Sequence, residues 1–587
     1  MNEKLRFPIS WYTAPPPDER RAGDESPYGT WWFQGSHYTE PDPARVLPLF
    51  HKMGFRHCPP GVKSAPPIFQ KYQVTPSMMG YMGRVTPSNT LPMQTFMTNW
   101  PTVKTAMIFH ETSLKGLSTA LPHELTGQPP EPFTDEQRAQ LGTLRAKIEE
   151  QAAIIRGLDP EMKIMVGNGA TIFNSIWFRE KLPTNLWDYC GLEMAMQTMH
   201  PESQPTGWNT QSFWIARQMA AIYGYADFPV TTCFEVGYRS TGPGGLSFKR
   251  QADWYARDVL HMLAWRSPHI NVALIIDVNA SYYTSRWGAT GVFQRSPLHL
   301  PKPAFVSLAT LTLMLDGAVY QRAVPTGSTG VYCLEFRKGR DQVYAIWCSR
   351  GSRPVELALA GDPGRSVDSM GRDLGLRYRN GRVSVPATES PCYVTSRHPV
   401  TDFVLGAPVH AAVPLAEPQV VDAMRGTAAW RLVAEGDEAF GNYCLYWPMV
   451  KGDIAIGETA DAQADGKAAG IRLTLRPQPG VRDIVGRYAV LEPVDGPRPI
   501  TGRPDTLGVW VNGNSGWGRI YFEFTDARGQ RWLSNRSEGV DWDFSDWEGE
   551  TSINHDGWRF VSLPLPACYA SGYYKPSMRH WRCIGKD

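Results

Sequence analysis

The chain has no CxxC and no Cys/His cluster at the spacing a structural zinc site needs. Its nine cysteines are scattered, and none lie closer together than Cys333 and Cys348. An odd count leaves at least one thiol free in a monomer. That excludes a disulfide-stapled secreted domain and leans cytosolic or weakly periplasmic. Long apolar runs are missing, and none reaches the length of a membrane helix. An excess of either charge is missing too, since 59 basic and 57 acidic residues nearly cancel. Nucleic acid as a partner is therefore not expected, and neither is a membrane. The start, "MNEKLRFPISWYTAPPPDERR", holds no signal-peptide apolar region, so the reading is cytoplasmic unless a leader was removed. "KLRFPISWYT" reads as a strand with no neighbour, and the tail "YYKPSMRHWRCIGKD" stops without a finishing strand. Both ends therefore raise the expectation of a longer chain. Oligomeric state leaves no mark.

What is present is aromatic. Phe, Trp and Tyr make up 12% of the chain, with 21 Trp and 24 Tyr. Sugar rings offer flat C–H faces that pack on aromatic planes, so this richness points toward carbohydrate. Large β-rich cores would account for it equally well. At 587 residues the chain exceeds one core, and two to four domains are expected.

Residues 1–29 read as a strand and linker. From 30 to 317, short apolar strands alternate with helical stretches. The expected strands are 30–35, 55–60, 73–82, 105–111, 163–168, 191–200, 230–236 and 271–278. Helices are expected between most of them, and the third-to-fourth connection reads as irregular, with no clear helix. Eight such units over this length predict a (β/α)₈ TIM barrel. A doubly wound open sheet would show an early Gly-rich phosphate loop, whereas "GPGG" (242–245) comes late and lacks the GxGxxG spacing. Residues 318–400 switch to short strands and Gly/Pro/Asp turns, predicting a small all-β sandwich able to adopt the orphan strand at 4–12. Residues 401–587 read as a β-jelly-roll with Asx/Gly hairpin turns.

In a parallel barrel the active site lies at the C-terminal ends of the strands. The polar residues expected there are His37, Tyr38, Arg56, His57, His110, Glu111, Asn168, His200, Glu235, Asp277 and Asn279. Two are glutamates that follow apolar runs, in "MIFHE" and "VTTCFE". A buried carboxylate without a partner is costly, so each needs a reason. Glycosidic hydrolysis supplies one. One carboxylic acid protonates the leaving oxygen, and the other attacks the anomeric carbon or activates water. The fourth and seventh strands face each other across an eight-stranded barrel, so Glu111 and Glu235 can address one bond from opposite sides. A metal helix is ruled out at "HE", because HExxH would need His at 114 and Leu114 stands there. An ordinary strand-end salt bridge is the bland alternative for either acid.

These motifs resemble the retaining glycoside hydrolases built on a (β/α)₈ barrel, the clan GH-A type. That clan has its acid/base Glu after strand four and its nucleophile Glu after strand seven, where "FHE" (109–111) and "FEVGYRS" (234–240) fall. "TMHPES" (198–203) is similar to the strand-six segment that supplies a hydrogen-bonding His or Tyr, which implies a substrate-side role for His200. "YYTSRWG" (282–288) sits where the clan often carries a sugar-floor Trp, matching Trp287. "PKPAFVSLATLTLMLDGA" (301–318) is similar to a last barrel helix, and "DSMGRD" to a sandwich turn. One departure matters: His110 stands where the clan usually has Asn. Substrate contacts are thus expected from His110, His200, Trp287, Asn168, Arg56 and Tyr38. The C-terminal stretch resembles galactose-binding-like jelly rolls, with Trp510, Trp517, Trp542 and Trp547 near turns.

The expectation is a retaining glycoside hydrolase acting on a poly- or oligosaccharide, with Glu111 as acid/base, Glu235 as nucleophile, and no metal or organic cofactor. The rival is a non-catalytic carbohydrate-binding or assembly protein on a degenerate barrel. Retention of two strand-end acids argues against it. An isomerase or aldolase would want a strand-end Lys or a metal cluster, and neither is present in the expected strands.

Overall fold

The computed structural model describes residues 26–30, 43–58, 65–76, 90–109, 123–167, 175–192, 200–202, 210–232, 238, 240, 246–272, 275–277, 289–295, 300–411, 418–433, 450–460, 470–482, 485, 487–534, 551–565 and 582–584. The strand expected at 4–12 lies outside them.

The first part alternates β and α. Its strands are β1 (Tyr28–Thr30), β2 (His57–Cys58), β3 (Thr75–Pro76), β4 (Thr105–Ile108), β5 (Lys163–Val166), β6 (Tyr189–Leu192), β7 (Val230–Thr232) and β8 (Ile270–Val272). The helices are α1 (Pro43–Lys52), α2 (Pro66–Lys71), α3 (Leu91–Asn99), α4 (Asp135–Leu158), α5 (Ile176–Arg179), α6 (Thr210–Ile222), α7 (Phe248–Ala264) and α8 (Pro303–Leu315). All paired strands here are parallel, in the orders β3-β2-β1-β8 and β4-β5-β6-β7. At the seam between β7 and β8, side chains bridge instead. Thr231 Oγ1 donates to the His269 carbonyl (3.2 Å) and accepts the His269 amide (3.1 Å).

The starts of the even-numbered strands converge. His57 opens β2, Thr105 opens β4, Tyr189 opens β6, and His269 directly precedes β8. The His57 and Tyr189 rings lie 5.2 and 5.5 Å from the His269 ring, and Thr105 Oγ1 is 3.5 Å from His269 Nε2. Burial holds both histidines neutral, His57 lowered to about 4 and His269 to about 3. Gly29 on β1 makes room for the His57 ring, since a Cβ there would meet it at 2.1 Å.

The third-to-fourth connection is a correction to the sequence reading, because α3 occupies it. Only Met93 of that helix is buried, so no apolar stripe at 3.6-residue spacing marks it. α4 was legible by contrast. Thr134 and Gln137 form a reciprocal capping box, with Asp135 and Glu136 in the first turn. α7 is capped by Ser247, whose hydroxyl accepts the Arg250 amide (3.1 Å). Residues 251–260 of α7 are all buried, including Gln251, Asp253, Arg257 and Asp258.

A β-sandwich follows, with strands β9 (Val319–Ala323), β10 (Val331–Lys338), β11 (Asp341–Cys348), β12 (Ser352–Ala358), β13 (Ser366–Val367), β14 (Tyr378–Arg379), β15 (Arg382–Thr388), β16 (Cys392–Ser396) and β17 (Asp402–Leu405). They form two sheets, β13-β16-β11-β10-β9 and β14-β15-β12-β17. β11 explains how the sandwich joins the α/β part. Side chains alternate along a strand. Tyr344, Ile346 and Cys348 enter the sandwich core, while Val343, Ala345 and Trp347 enter the α/β core. That two-sided burial is why β11 reads as a continuous apolar run.

Beyond residue 418 the described strands are short and mostly antiparallel. The longest pair is Thr506–Asn514 with Asp556–Pro564. Val561 and Leu563 on one face are buried, while Trp510 on the other is exposed against Phe560.

Candidate active site

Glu111, Glu235, His110, Asn168, Trp287 and Tyr38 lie outside the described residues, as do Trp542 and Trp547. β4 ends at Ile108, three residues before Glu111, and β7 is described as far as Thr232, with Glu235 beyond it. Because these strands belong to one parallel sheet, both glutamates follow the same end of it in sequence. Phe109, between β4 and His110, has φ 72°. A bulky residue in the left-handed region is uncommon and costs about 1–3 kcal/mol, and such strain clusters at functional sites. Gly167, just before Asn168, has φ 101°. On β6, a Cβ at Gly191 would stand 2.4 Å from the Gly167 carbonyl, so only glycine permits that approach.

The segment after Glu235 is pinned by α7. The Tyr238 amide donates to Tyr255 Oη (3.1 Å), and its carbonyl accepts from Gln251 Nε2 (2.5 Å). Its hydroxyl donates to Asp258 (3.0 Å). Two residues on, the Ser240 amide donates to the Ala289 carbonyl (3.1 Å). That one carbonyl also accepts from Ser240 Oγ (3.0 Å), Gln251 Nε2 (3.1 Å) and Lys302 Nζ (3.1 Å). Ala289 lies two residues after Trp287. A single acceptor thus ties together the far ends of the two segments that carry Glu235 and Trp287.

Lys302 and Asp277 form a fully buried ion pair at 2.5 Å. Burial outweighs the attraction of Asp277 and lowers the Lys302 pKa. Asp277, a strand-end candidate by sequence, spends its charge here.

Arg56 is fully buried, and its Nη1 donates to the carbonyls of His51 (3.0 Å) and Phe55 (2.9 Å). The fork locks the turn from α1 into β2. His200 is also buried. Its Nδ1 meets Arg257 Nη2 at 3.2 Å, and its ring lies 4.6 Å from Trp254. Arg257 also grips Glu202, through Nε at 2.7 Å to Oε1 and through Nη2 to Oε2. Trp347 Nε1 donates to Glu202 Oε1 at 2.8 Å. Burial alone would raise Glu202, but Arg257 and then His261 outweigh it and hold the carboxyl well below the usual range. Burial lowers His200, and the neighbouring Arg257 lowers it further, so its ring is neutral. His200 and Arg56 are therefore brought to buried polar junctions. Sequence reasoning missed Arg257, Glu202, Asp258 and Tyr238. Charged residues inside a helical pattern usually mark a solvated face, and nothing local shows that α7 is covered all round.

Asp258 gives a direct pH test. Burial raises its pKa to about 8. The folded state then holds a proton that the unfolded chain releases near 4, so stability falls as pH rises between those values, by up to about 1.4 kcal/mol per unit. Asp258→Asn keeps an acceptor for the Tyr238 hydroxyl and cannot ionise. Urea midpoints measured from pH 5 to 9 should show the variant gaining on the parent as pH rises. Parallel profiles would refute the assignment.

Among the described residues, no group of three or more His, Cys, Asp or Glu side chains is arranged to hold a metal. No described helix is long and apolar enough to cross a membrane.

No protein-family model and no curated protein matches the chain. Solved structures similar to it include a family 39 glycoside hydrolase from Bacteroides cellulosilyticus WH2. It is 14% identical, with 63% of this chain and 81% of that one covered and a TM-score of 0.46. A family 30 subfamily 8 xylanase from Clostridium acetobutylicum is 10% identical, covering 66% and 97%, at a TM-score of 0.39. A family 30 endoxylanase from Clostridium papyrosolvens C71 is 7% identical, covering 64% and 97%, also at 0.39. At these scores the likeness bears no weight beyond itself, and any assignment rests on this chain's own residues.

Proposed function

We propose that this chain is a glycoside hydrolase cleaving a poly- or oligosaccharide by a retaining double displacement. The observation that carries it is that two glutamates each follow a parallel strand of one sheet in sequence, Glu111 after β4 and Glu235 after β7. Those strands are three spacings apart in one sheet, about 14 Å along its surface. Curling into a closed barrel would shorten that chord.

The two half-sheets are read as one closed barrel. Support comes from the four side chains at the starts of β2, β4, β6 and β8, which meet as one layer. Alternate strands supply such layers in an eight-stranded barrel. The units are read as barrel (30–317), sandwich from 318, and jelly-roll to 587; the expected boundary at 400 shifts later, because β17 (Asp402–Leu405) pairs with β12 of the sandwich.

Glu111 protonates the glycosidic oxygen as the bond to the anomeric carbon breaks. Glu235 attacks that carbon from the other face and forms a glycosyl-enzyme. Glu111, now a carboxylate, takes a proton from water, which displaces Glu235. Retention asks for carboxyl groups about 5–5.5 Å apart, and above about 6.5 Å the geometry would suit inversion. His110, Asn168, Trp287 and Tyr38 are assigned to substrate contact, with Arg56 and His200 supporting from buried positions. The test is reducing-sugar release across polysaccharides and aryl glycosides, with Glu235→Gln run beside the parent. Activity in the parent alone supports the reading. Equal activity in both overturns the nucleophile assignment, and binding without release across the panel overturns the enzyme.

A further inference from the structure

We propose that the C-terminal β unit is a brace of the active site, and that Trp517 is the positioning residue through which it acts. The catalytic consequence rests on the glycosidase reading above, while the mechanical one does not.

The turn that presents Trp517 is strained and clamped. Ser515 and Trp517 have φ of 53° and 58°, both non-glycine residues in the left-handed region. Ser515 Oγ donates to Asp556 Oδ1 (2.8 Å), and the Ser515 carbonyl accepts from Thr329 Oγ1 (2.8 Å). The other Asp556 oxygen takes Ser328 Oγ and Arg353 Nη1, each at 2.5 Å. The Trp517 amide donates to the Ile553 carbonyl (3.1 Å). Strain of this kind persists only where surrounding contacts over-determine it, and here they come from the sandwich and the C-terminal unit together.

What the turn delivers is an indole 7% exposed, set edge-on to His200 at 5.6 Å. From there rings continue without a gap: His200 to Trp254 at 4.6 Å, Trp254 to Tyr238 at 5.5 Å, and Tyr238 to Tyr255 at 5.1 Å. Tyr238 is three residues from Glu235 in sequence. A parallel polar route runs beside the rings. Asn554 Nδ2 lies 3.5 Å from His200 Nε2, and the Asn554 carbonyl accepts from Ser349 Oγ (2.8 Å). His200 meets Arg257, whose neighbour on α7, Asp258, takes the Tyr238 hydroxyl. A second contact ties another part of the C-terminal region to the chain beyond Glu111. The Arg482 amide donates to the Leu125 carbonyl (2.9 Å), and a Cβ on Gly127 would strike the Gly480 backbone at 2.7 Å. A module merely tethered for substrate capture needs none of these contacts. Close-packed interiors transmit displacement, so removing the indole should loosen Tyr238.

Two amides report the effect, because the Tyr238 and Ser240 amides are both hydrogen-bonded. The full-length parent, Trp517→Ala, Trp517→Phe and Trp510→Ala are compared by hydrogen exchange over residues 238–247. Kinetics follow on any glycoside the parent cleaves. Trp517→Ala should speed exchange there by about 10-fold or more. It should lower kcat about 10- to 100-fold while KM moves less than about 3-fold, as expected for misplaced reacting groups. Trp517→Phe should recover most of both, and exposed Trp510→Ala should leave both unchanged. If the alanine variant does not fold, Trp517→Leu carries the comparison, with the same direction expected. Unchanged exchange in a folded variant overturns the brace. Faster exchange in a protein with no glycosidase activity leaves the brace standing and overturns the function.

Discussion

Glu235→Gln should lose at least about 10³-fold in turnover on every glycoside the parent cleaves, because an amide cannot form or release the glycosyl ester. Glu111→Gln should behave differently, and the difference separates the two roles. An acid catalyst matters in proportion to how badly the leaving oxygen needs a proton. The variant should therefore keep most of its first-step rate on aryl glycosides with acidic phenols and lose it on alkyl or sugar leaving groups. A Glu111→Gln loss independent of the leaving group would refute the acid role. Retained activity in Glu235→Gln would refute the nucleophile. Both substitutions are nearly isosteric, so circular dichroism and the urea midpoint should stay with the parent.

The largest stability effect is expected at Glu202. Its carboxylate takes both arms of Arg257 and the Trp347 indole, with all three side chains fully buried or nearly so. Glu202→Ala strands the Arg257 charge in the interior, which costs about 3–5 kcal/mol. The double variant Glu202→Leu with Arg257→Met removes both charges and should recover much of that loss. Because Glu202 is held below the ordinary carboxylate range, its contribution is present above that range and lost as pH falls through the lowered pKa. The gap between parent and Glu202→Ala should therefore narrow in acid. A urea-midpoint change worth less than about 1 kcal/mol at neutral pH would show that the pair is not the joint it looks to be.

Much of the architecture was legible before any coordinates. α4 announces itself by its capping box, and α6, α7 and α8 by long helical stretches ending near Gly or Ser. The parallel strands are short apolar runs at the right intervals. α3 was invisible because a helix with one buried residue carries no periodic signal. His200 and Arg56 were picked out as strand-end polar residues, but their type alone could not say whether they face a ligand or a buried partner. Trp517 had the same ambiguity, since an indole near a turn looks alike whether it awaits a sugar or fills a junction.

The sequence by itself determined the order of α/β and β units, the absence of a zinc-spaced cysteine framework, and the placing of Glu111 and Glu235 after the apolar runs of β4 and β7. These are properties of neighbours along the chain, set by side-chain period, capping and turn chemistry. Only the tertiary structure decided which buried charges meet. Glu202 and Arg257 are 55 residues apart, Lys302 and Asp277 are 25 apart, and His200 and Asn554 are 354 apart. No local pattern encodes those partnerships. They exist because a buried polar group must find a partner wherever the packed elements bring one within reach.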